Sequence, residues 1–293
     1  MDRDLSRLPR SLCFALAAAL GLAAFSARAA DDPPRKAFRV CKDPNNMPFT
    51  NARGEGFEDK LAALFAKELG LPVETYSFPQ RLGFVRNTLR YKLPGADYPC
   101  DVVMGVPDGF GQVLATKPYY RSTYVLVLRA DRGLAGVNSE TDFLALPPEK
   151  LARLKIGVFD RSPGSAWLDR HQLVDSGVPY RIMNADPEDY PGEIVERDLA
   201  TGKIDAAVVW GPIGAWFARQ VKGGELRVVP LASAEGVRFD YAMAMGVRFG
   251  EGEWKRQLEE LIDRKRSEID AILREYGVPL LEQPTTALAR SAR

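Results

Sequence analysis

Histidine is nearly absent from this 293-residue chain, which holds a single one, His171. A Ser-His-Asp triad or a multi-histidine metal site would have to be built on it. It sits beside Asp169, Arg170 and Gln172 in a stretch that reads as a helix surface. Cysteine is almost as scarce. Cys13 lies in the N-terminal leader ahead of most of its apolar run, which argues against a lipoprotein cysteine. Cys41 and Cys100 remain, and each sits against a strand pattern. In an exported chain such an even pair reads as one disulfide, with two buried thiols as the alternative. No Cys-x-x-Cys-His occurs, so a c-type haem is excluded. Charge of one sign is also lacking, with 40 Lys and Arg against 39 Asp and Glu. That balance gives no reason to expect nucleic acid or an anionic membrane as partner.

What is present begins with a leader. Arg3, Arg7 and Arg10 precede an apolar run, Leu12 to Phe25, too short to span a bilayer comfortably, and Ala27-Arg28-Ala29 follows as a cleavage pattern. Residues 1–29 therefore read as a signal peptide cleaved after about Ala29. Four Arg and two Asp leave with it, taking the net charge from +1 to about −1. About 264 residues remain, enough for two lobes of ordinary size.

The mature chain alternates strand and helix patterns. Phe38 to Cys41 reads as a strand; Phe57, Leu61, Leu64, Phe65 and Leu69 mark one face of a helix stopped at Gly70; Val73 to Phe78 is a strand; Pro79 to Leu89 becomes helical. Asp101 to Gly105 is a buried strand, followed by a loop from Val106 to Ala115, then Lys117-Pro-Tyr-Tyr-Arg121 and a second apolar strand, Tyr124 to Leu128. A polar connection, Leu134 to Ala145, leads to strands at Lys155–Phe159, Pro179–Met183, Asp205–Trp210 and Leu226–Val229, with helices from about Ala166, from Gly192 to Thr201 and from Ile213 to Val221. Phe239 to Gly246 returns as a strand, and one long helix runs from about Glu253 until Gly277-Val-Pro279 ends it. This order implies an α/β fold of two lobes, each with a mainly parallel sheet flanked by helices and a cleft between them. Lobe one is 37–129 plus 234–282, lobe two is 130–233, and 283–293 is a flexible tail with little to bury.

The motif order resembles the type 2 periplasmic binding proteins over essentially the whole mature chain. Six words give a narrower match: Arg39-Val-Cys-Lys-Asp-Pro-Asn-Asn-Met-Pro-Phe49, Gly54-Glu-Gly-Phe-Glu58, Gln80 to Leu89, Cys100-Asp-Val-Val-Met-Gly-Val-Pro107, Lys117 to Val125, and Ala207-Val-Val-Trp-Gly-Pro212. Together they resemble the MxaJ/XoxJ family, and the Asp-Pro-Asn-Asn loop is closer to the XoxJ branch. That resemblance implies a monomeric, non-enzymatic periplasmic accessory protein. Its partner would be a quinoprotein methanol dehydrogenase, calcium- or lanthanide-dependent, which it helps to mature or activate. A cytochrome c of that enzyme is a further candidate partner. The pyrroloquinoline quinone (PQQ) and the lanthanide or calcium would belong to the dehydrogenase, with no cofactor or metal held by this chain.

The chain departs from the amino-acid binders of the same superfamily. Those clamp the ligand carboxylate with an Arg in the loop after the Asp101-type strand, where bidentate charged recognition is needed. Here Val106 to Val113 holds no Arg or Lys, and Trp210 stands where those proteins place an Asp for the ligand ammonium. The expected cleft lining is instead apolar: Phe49, Met104, Pro107, Phe110, Tyr119, Tyr120, Trp210 and Pro212. Tyr119 and Tyr120 should diverge, one to the core and one to the cleft. Asp43, Asn45 and Asn46 are placed either at the cleft mouth or in Asx turns of their own loop. Gln80 and Arg81 either face the cleft or form a solvated surface, and Arg121 is a hinge bridge or a surface cation. Ser162 and Ser165 open a helix, as an anion site or with Ser165 as a simple N-cap. No catalytic constellation emerges, because Asp43, Asp108 and Asp160 are scattered. The alternative function is a solute-binding protein of an ABC importer for a small apolar or aromatic ligand.

Overall fold

The computed structural model describes residues 35–80, 83–181, 186, 188–222 and 225–282. The expected signal peptide, the expected flexible tail 283–293, Arg81 and the expected strand residues Ile182 and Met183 lie outside them. β1 (Phe38–Lys42) is followed by a small hairpin of β2 (Asn45–Asn46) and β3 (Thr50–Asn51). Next come α1 (Phe57–Leu69), β4 (Val73–Ser77), α2 (Phe84–Asn87), β5 (Val102–Pro107) and β6 (Leu114–Ala115). β1 is parallel to both β4 and β5. Helix α1 buries Phe57, Leu61 and Phe65 against this sheet and ends in a left-handed Gly70 at φ 66°, whose N–H closes on the last turn.

β7 (Tyr120–Arg129) is the crossing strand. Beyond it come α3 (Glu140–Leu144), α4 (Pro148–Leu151), β8 (Ile156–Phe159), α5 (Pro163–Arg170), β9 (Gly177–Tyr180), a π-helical turn at Ile194–Leu199, β10 (Ala206–Trp210), α6 (Gly211–Gln220) and β11 (Leu226–Pro230). β12 (Asp240–Val247), α7 (Gly252–Arg264) and α8 (Arg266–Glu275) follow. The strands run β4-β1-β5-β12-β7-β10-β8-β9, with β6 on β12 and β11 on β7. β4, β1 and β5 form one parallel set, and β10, β8 and β9 another; β12 and β7 join them antiparallel. The fold is that of a two-lobed periplasmic binding protein.

Three local expectations change. The connection from Leu134 to Ala145 contains helix α3, capped by the Ser139 hydroxyl, which accepts from the Asp142 N–H at 3.1 Å. The final helix is two helices that break at Lys265, without Pro or Gly. Lys265 sits at φ −109° and its ammonium pairs with Glu68 of α1 at 2.7 Å. His171 caps the end of α5, half-buried, with its ring 5.2 Å from that of Trp167. Burial lowers its pKa, against the opposing pull of Glu140.

Two covalent and ionic clasps hold β1 to β5. Cys41 and Cys100 form a disulfide with Cα atoms 5.2 Å apart, closing a separation of 59 residues. A loop of that length removes about 4 kcal/mol of unfolded-chain entropy. Beside it, the fully buried Asp101 is gripped by Arg39 at 2.8 Å, Arg35 at 2.9 Å and Arg248 at 2.5 Å. Burial opposes ionisation of Asp101, but hydrogen bonds from Arg39 and Arg248 outweigh it and hold the carboxyl below its ordinary range. A depressed carboxylate pKa stabilises the fold above the unfolded value and loses that contribution as pH falls. Asp101→Asn strands three cations and should lower unfolding free energy by about 3–5 kcal/mol at neutral pH. The loss should shrink on acidification in urea titrations, and an equal loss at all pH values would deny the ion cluster its role.

Candidate functional site

The loop leaving β1 is built on its own polar groups. Asp43 is buried and accepts from the N–H of Asn45 at 2.8 Å and of Gln80 at 2.5 Å. The Asn46 amide donates to Gln80 Oε1 at 2.8 Å. Asp43 thus follows the Asx-turn alternative, Asn46 ties the loop to Gln80, and the Asn45 amide donates to the Glu188 carbonyl at 3.1 Å. Asp59 is equally committed: Lys42 lies 2.7 Å away, Thr50 donates at 3.0 Å and the Gly56 N–H at 3.1 Å. Neighbouring Glu58 is different. It is half-buried, and its carboxyl has no hydrogen bond or ion pair among the described residues. Burial first, then the charges of Asp59 and Asp43, push its carboxyl up to about 8.

Several expected cleft residues belong to the core instead. Phe49 packs on Phe57 with ring centroids 5.1 Å apart, and Met104 is fully buried in the same cluster. Tyr119 and Tyr120 are both buried, their rings 4.9 Å apart. Alternation fails because Tyr119 lies in the bend before β7 begins, and α1 with α8 covers this face. Pro212 is buried in the first turn of α6, where its missing N–H costs nothing. Pro107 stays exposed at the end of β5, and Phe110 packs against the disulfide-side core. Arg121 pairs with Asp240 across β7 and β12 and donates to the Glu282 carbonyl at 3.3 Å.

The open space lies on the other lobe. A pocket of about 390 Å³ is lined by Tyr124, Phe159, Ser162, Pro179, Tyr180, Tyr190, Trp210 and Ile213, with Arg181, Asp189, Glu193 and Arg197 among its polar residues. It opens at the C-terminal ends of the parallel strands β8, β9 and β10, the edge at which α/β sheets bind ligands. Trp210, half-buried at the end of β10, meets Tyr124 at 5.5 Å and Tyr241 at 5.8 Å. Tyr180 donates its hydroxyl to Asp198, and Tyr190 to Glu196, each at 2.6 Å, so both rings are fixed from outside. Ser162 is the N-cap residue of α5, correcting the expectation of Ser165, whose hydroxyl donates back to the Ser162 carbonyl at 2.8 Å. The Ser162 hydroxyl is buried and has no partner.

Sequence reasoning missed Phe159, Tyr180 and Tyr190 as lining, and Glu58 altogether. Tyr180 and Tyr190 each follow or precede a Pro in stretches whose folding back over β10 carries no local signal. Among the described residues, no group of three or more His, Cys, Asp or Glu could hold a metal.

Asp198 anchors the pocket's outer wall. Burial opposes its ionisation, but hydrogen bonds from Lys203, Tyr180 and Arg197 prevail and bring it to about 2 from an ordinary 3.8. Its contribution is present above the unfolded pKa and is lost as pH falls from about 4 to about 2. Asp198→Asn should therefore flatten the acid limb of the stability curve over that window, measured by thermal unfolding against pH. A variant whose acid limb matches the wild type would remove Asp198 from this role.

No protein-family model matches the chain. The chain is 29% identical over 292 residues to Protein MoxJ of Paracoccus denitrificans, covering 93% of this chain and 97% of that protein. It is 36% identical to the periplasmic binding protein XoxJ from Methylobacterium extorquens AM1. That crystal structure matches with a TM-score of 0.66 and covers 84% of this chain and all of the other. MxaJ from Methlophaga aminisulfidivorans MPT shares the fold at a TM-score of 0.68 and 24% identity, again with 84% of this chain covered. The six sequence words, the two-lobed topology and these matches agree: this chain belongs to the MxaJ/XoxJ family of periplasmic binding proteins.

Proposed function

We propose that this protein is a non-enzymatic periplasmic accessory protein that binds a PQQ-dependent, lanthanide-type methanol dehydrogenase and helps to mature or activate it. Family membership supports the association with methanol oxidation. The observation that carries the binding mode is the chemistry of the pocket: aromatic rings held rigidly at strand ends, with Arg181 and Arg197 on the same wall and no Arg or Lys in the 106–113 loop, where the amino-acid binders carry their carboxylate clamp. Rigid Trp and Tyr faces bury large area at low entropic cost, which suits a partner's loop. Maturation would follow from tighter binding to one state of the enzyme than to another. The quinone and the metal ion belong to the dehydrogenase, and its cytochrome c is a further candidate partner. In this reading the protein works as a monomer.

The pocket volume of about 390 Å³ also fits one small apolar or aromatic solute, which favours an importer's binding protein as the second reading. Trp210→Ala separates the two. On the accessory reading, a biosensor should record affinity for the dehydrogenase of the same cell falling by at least about tenfold, the size of loss expected at a contact hot spot. The melting temperature should stay near that of the wild type, because Trp210 is only half-buried. Unchanged partner affinity, with an aromatic solute co-purifying from the wild type but not from the variant, would select the importer.

A further inference from the structure

Among the described residues, Glu58 is the one carboxyl at the head of α1 without a side-chain partner. Asp59 beside it is held by Lys42, Thr50 and the Gly56 N–H, Asp43 by two backbone N–H groups, and Glu55 by Arg53 and Asn51. Glu58 Oε1 lies directly against Gly105 of β5, in the space a Cβ there would take. A second polar group is also unmatched: the Tyr120 hydroxyl is buried without a hydrogen bond, although its residue is only 2% exposed. The charge that bears on that hydroxyl is that of Glu58. Tyr119 is satisfied by contrast, donating to the Met104 carbonyl at 2.9 Å.

The surroundings of this pair are negative. The charges of Asp59 on α1 and of Asp43 just after β1 both bear on Glu58, and Lys42, the neighbouring cation, is engaged by Asp59. Tyr119 and Tyr120, from the β7 side, are neutral, with burial raising both phenols. An unpaired carboxyl in such a place is held neutral by burial and by its acidic neighbours. The positive end of α1 favours the carboxylate, so one incoming positive charge suffices to ionise it. The location is the C-terminal end of the parallel strands β1 and β5, the binding edge of lobe one, where Glu58 is only partly buried.

We propose that Glu58, together with the unpartnered Tyr120 hydroxyl, is a receptor for one guanidinium or ammonium group that enters the lobe-one side of the cleft and displaces a proton from Glu58. The exchange balances: the Glu58 proton goes to solvent, and the carboxylate formed pairs with the cation while no covalent bond changes. The proposal holds whether the cation arrives on a soluble molecule or on a basic side chain of a partner protein, and it does not depend on the accessory role.

The test uses mature protein carrying carbon-13 at glutamate carboxyls, with the Glu58 resonance assigned by Glu58→Gln and methylguanidinium as probe. In free protein the Glu58 midpoint should lie near 8. Methylguanidinium should lower it by about one to three units, the range for a carboxyl gaining an opposite charge. Sodium chloride at equal ionic strength should leave it in place. Tyr120→Phe, which keeps the ring, should weaken methylguanidinium binding without changing the melting temperature. A midpoint that does not move, one that sodium chloride moves equally, or a Glu58→Gln protein that binds the probe as well as wild type would each overturn the proposal. Dehydrogenase affinity of Glu58→Gln then assigns the source. A loss of about tenfold, one charged contact's worth, places the cation on the partner, and unchanged affinity alongside lost probe binding places it on a soluble molecule.

Discussion

The whole architecture depends on the backbone pairing of one strand. The first residues of β7, Tyr120–Thr123, pair with β12 in the lobe-one sheet. From Tyr124 onward the same strand pairs with β10 on one side, and from Val125 with β11 on the other. Side chains lock the point of exchange: the Ser122 hydroxyl donates to the Pro279 carbonyl at 2.7 Å and that of Thr123 to Leu231 at 2.6 Å. The segment after α8 returns to the same place, with the Leu281 N–H donating to Arg121 at 3.0 Å. A Cβ at Gly211 would strike the Thr123 carbonyl, so α6 can start against the crossing only with glycine there. Both lobes therefore share a continuous ladder, and Tyr124, Trp210 and Tyr241 cluster where it changes sheet.

That crossing sets the chemistry on either side of the cleft. Lobe two offers aromatic faces at the ends of β8, β9 and β10, with their hydroxyls tied to Asp198 and Glu196. Lobe one offers a loop whose polar groups bond mainly to one another, plus Glu58. The aromatic rings of lobe two share their pocket with Arg181 and Arg197, whereas the 106–113 loop of lobe one brings no cation. The rings suit a ligand or partner segment that brings apolar bulk.

Much of the fold was legible because strand and helix periods are local properties. Ala206–Trp210 and Val102–Pro107 stand out as apolar runs between turn residues, and Phe57, Leu61 and Phe65 recur at helical spacing before Gly70. The kink at Lys265 was not legible, since its ion pair with Glu68 comes from a helix nearly 200 residues earlier. The site was read less well for the same reason. Phe49, Met104, Tyr119 and Tyr120 are apolar or aromatic residues at strand ends, and only packing tells whether α1 and α8 cover them. Trp210 could be placed because Gly211-Pro212 ends its strand, whereas Tyr180 and Tyr190 enter the pocket through tertiary contacts alone. Glu58 entered only as the last residue of the Gly54–Glu58 word, and its isolation shows only once every neighbour's partner is known.

The account's central claim is that this protein distinguishes states of a quinoprotein dehydrogenase. The measurement that bears on it most directly is equilibrium binding of the mature protein to that enzyme, prepared with and without its quinone and metal, over a salt series. The account predicts saturable binding with unequal affinity for the two forms, which persists at high salt because aromatic burial carries it. Equal affinity for both forms, or none for either, would contradict it.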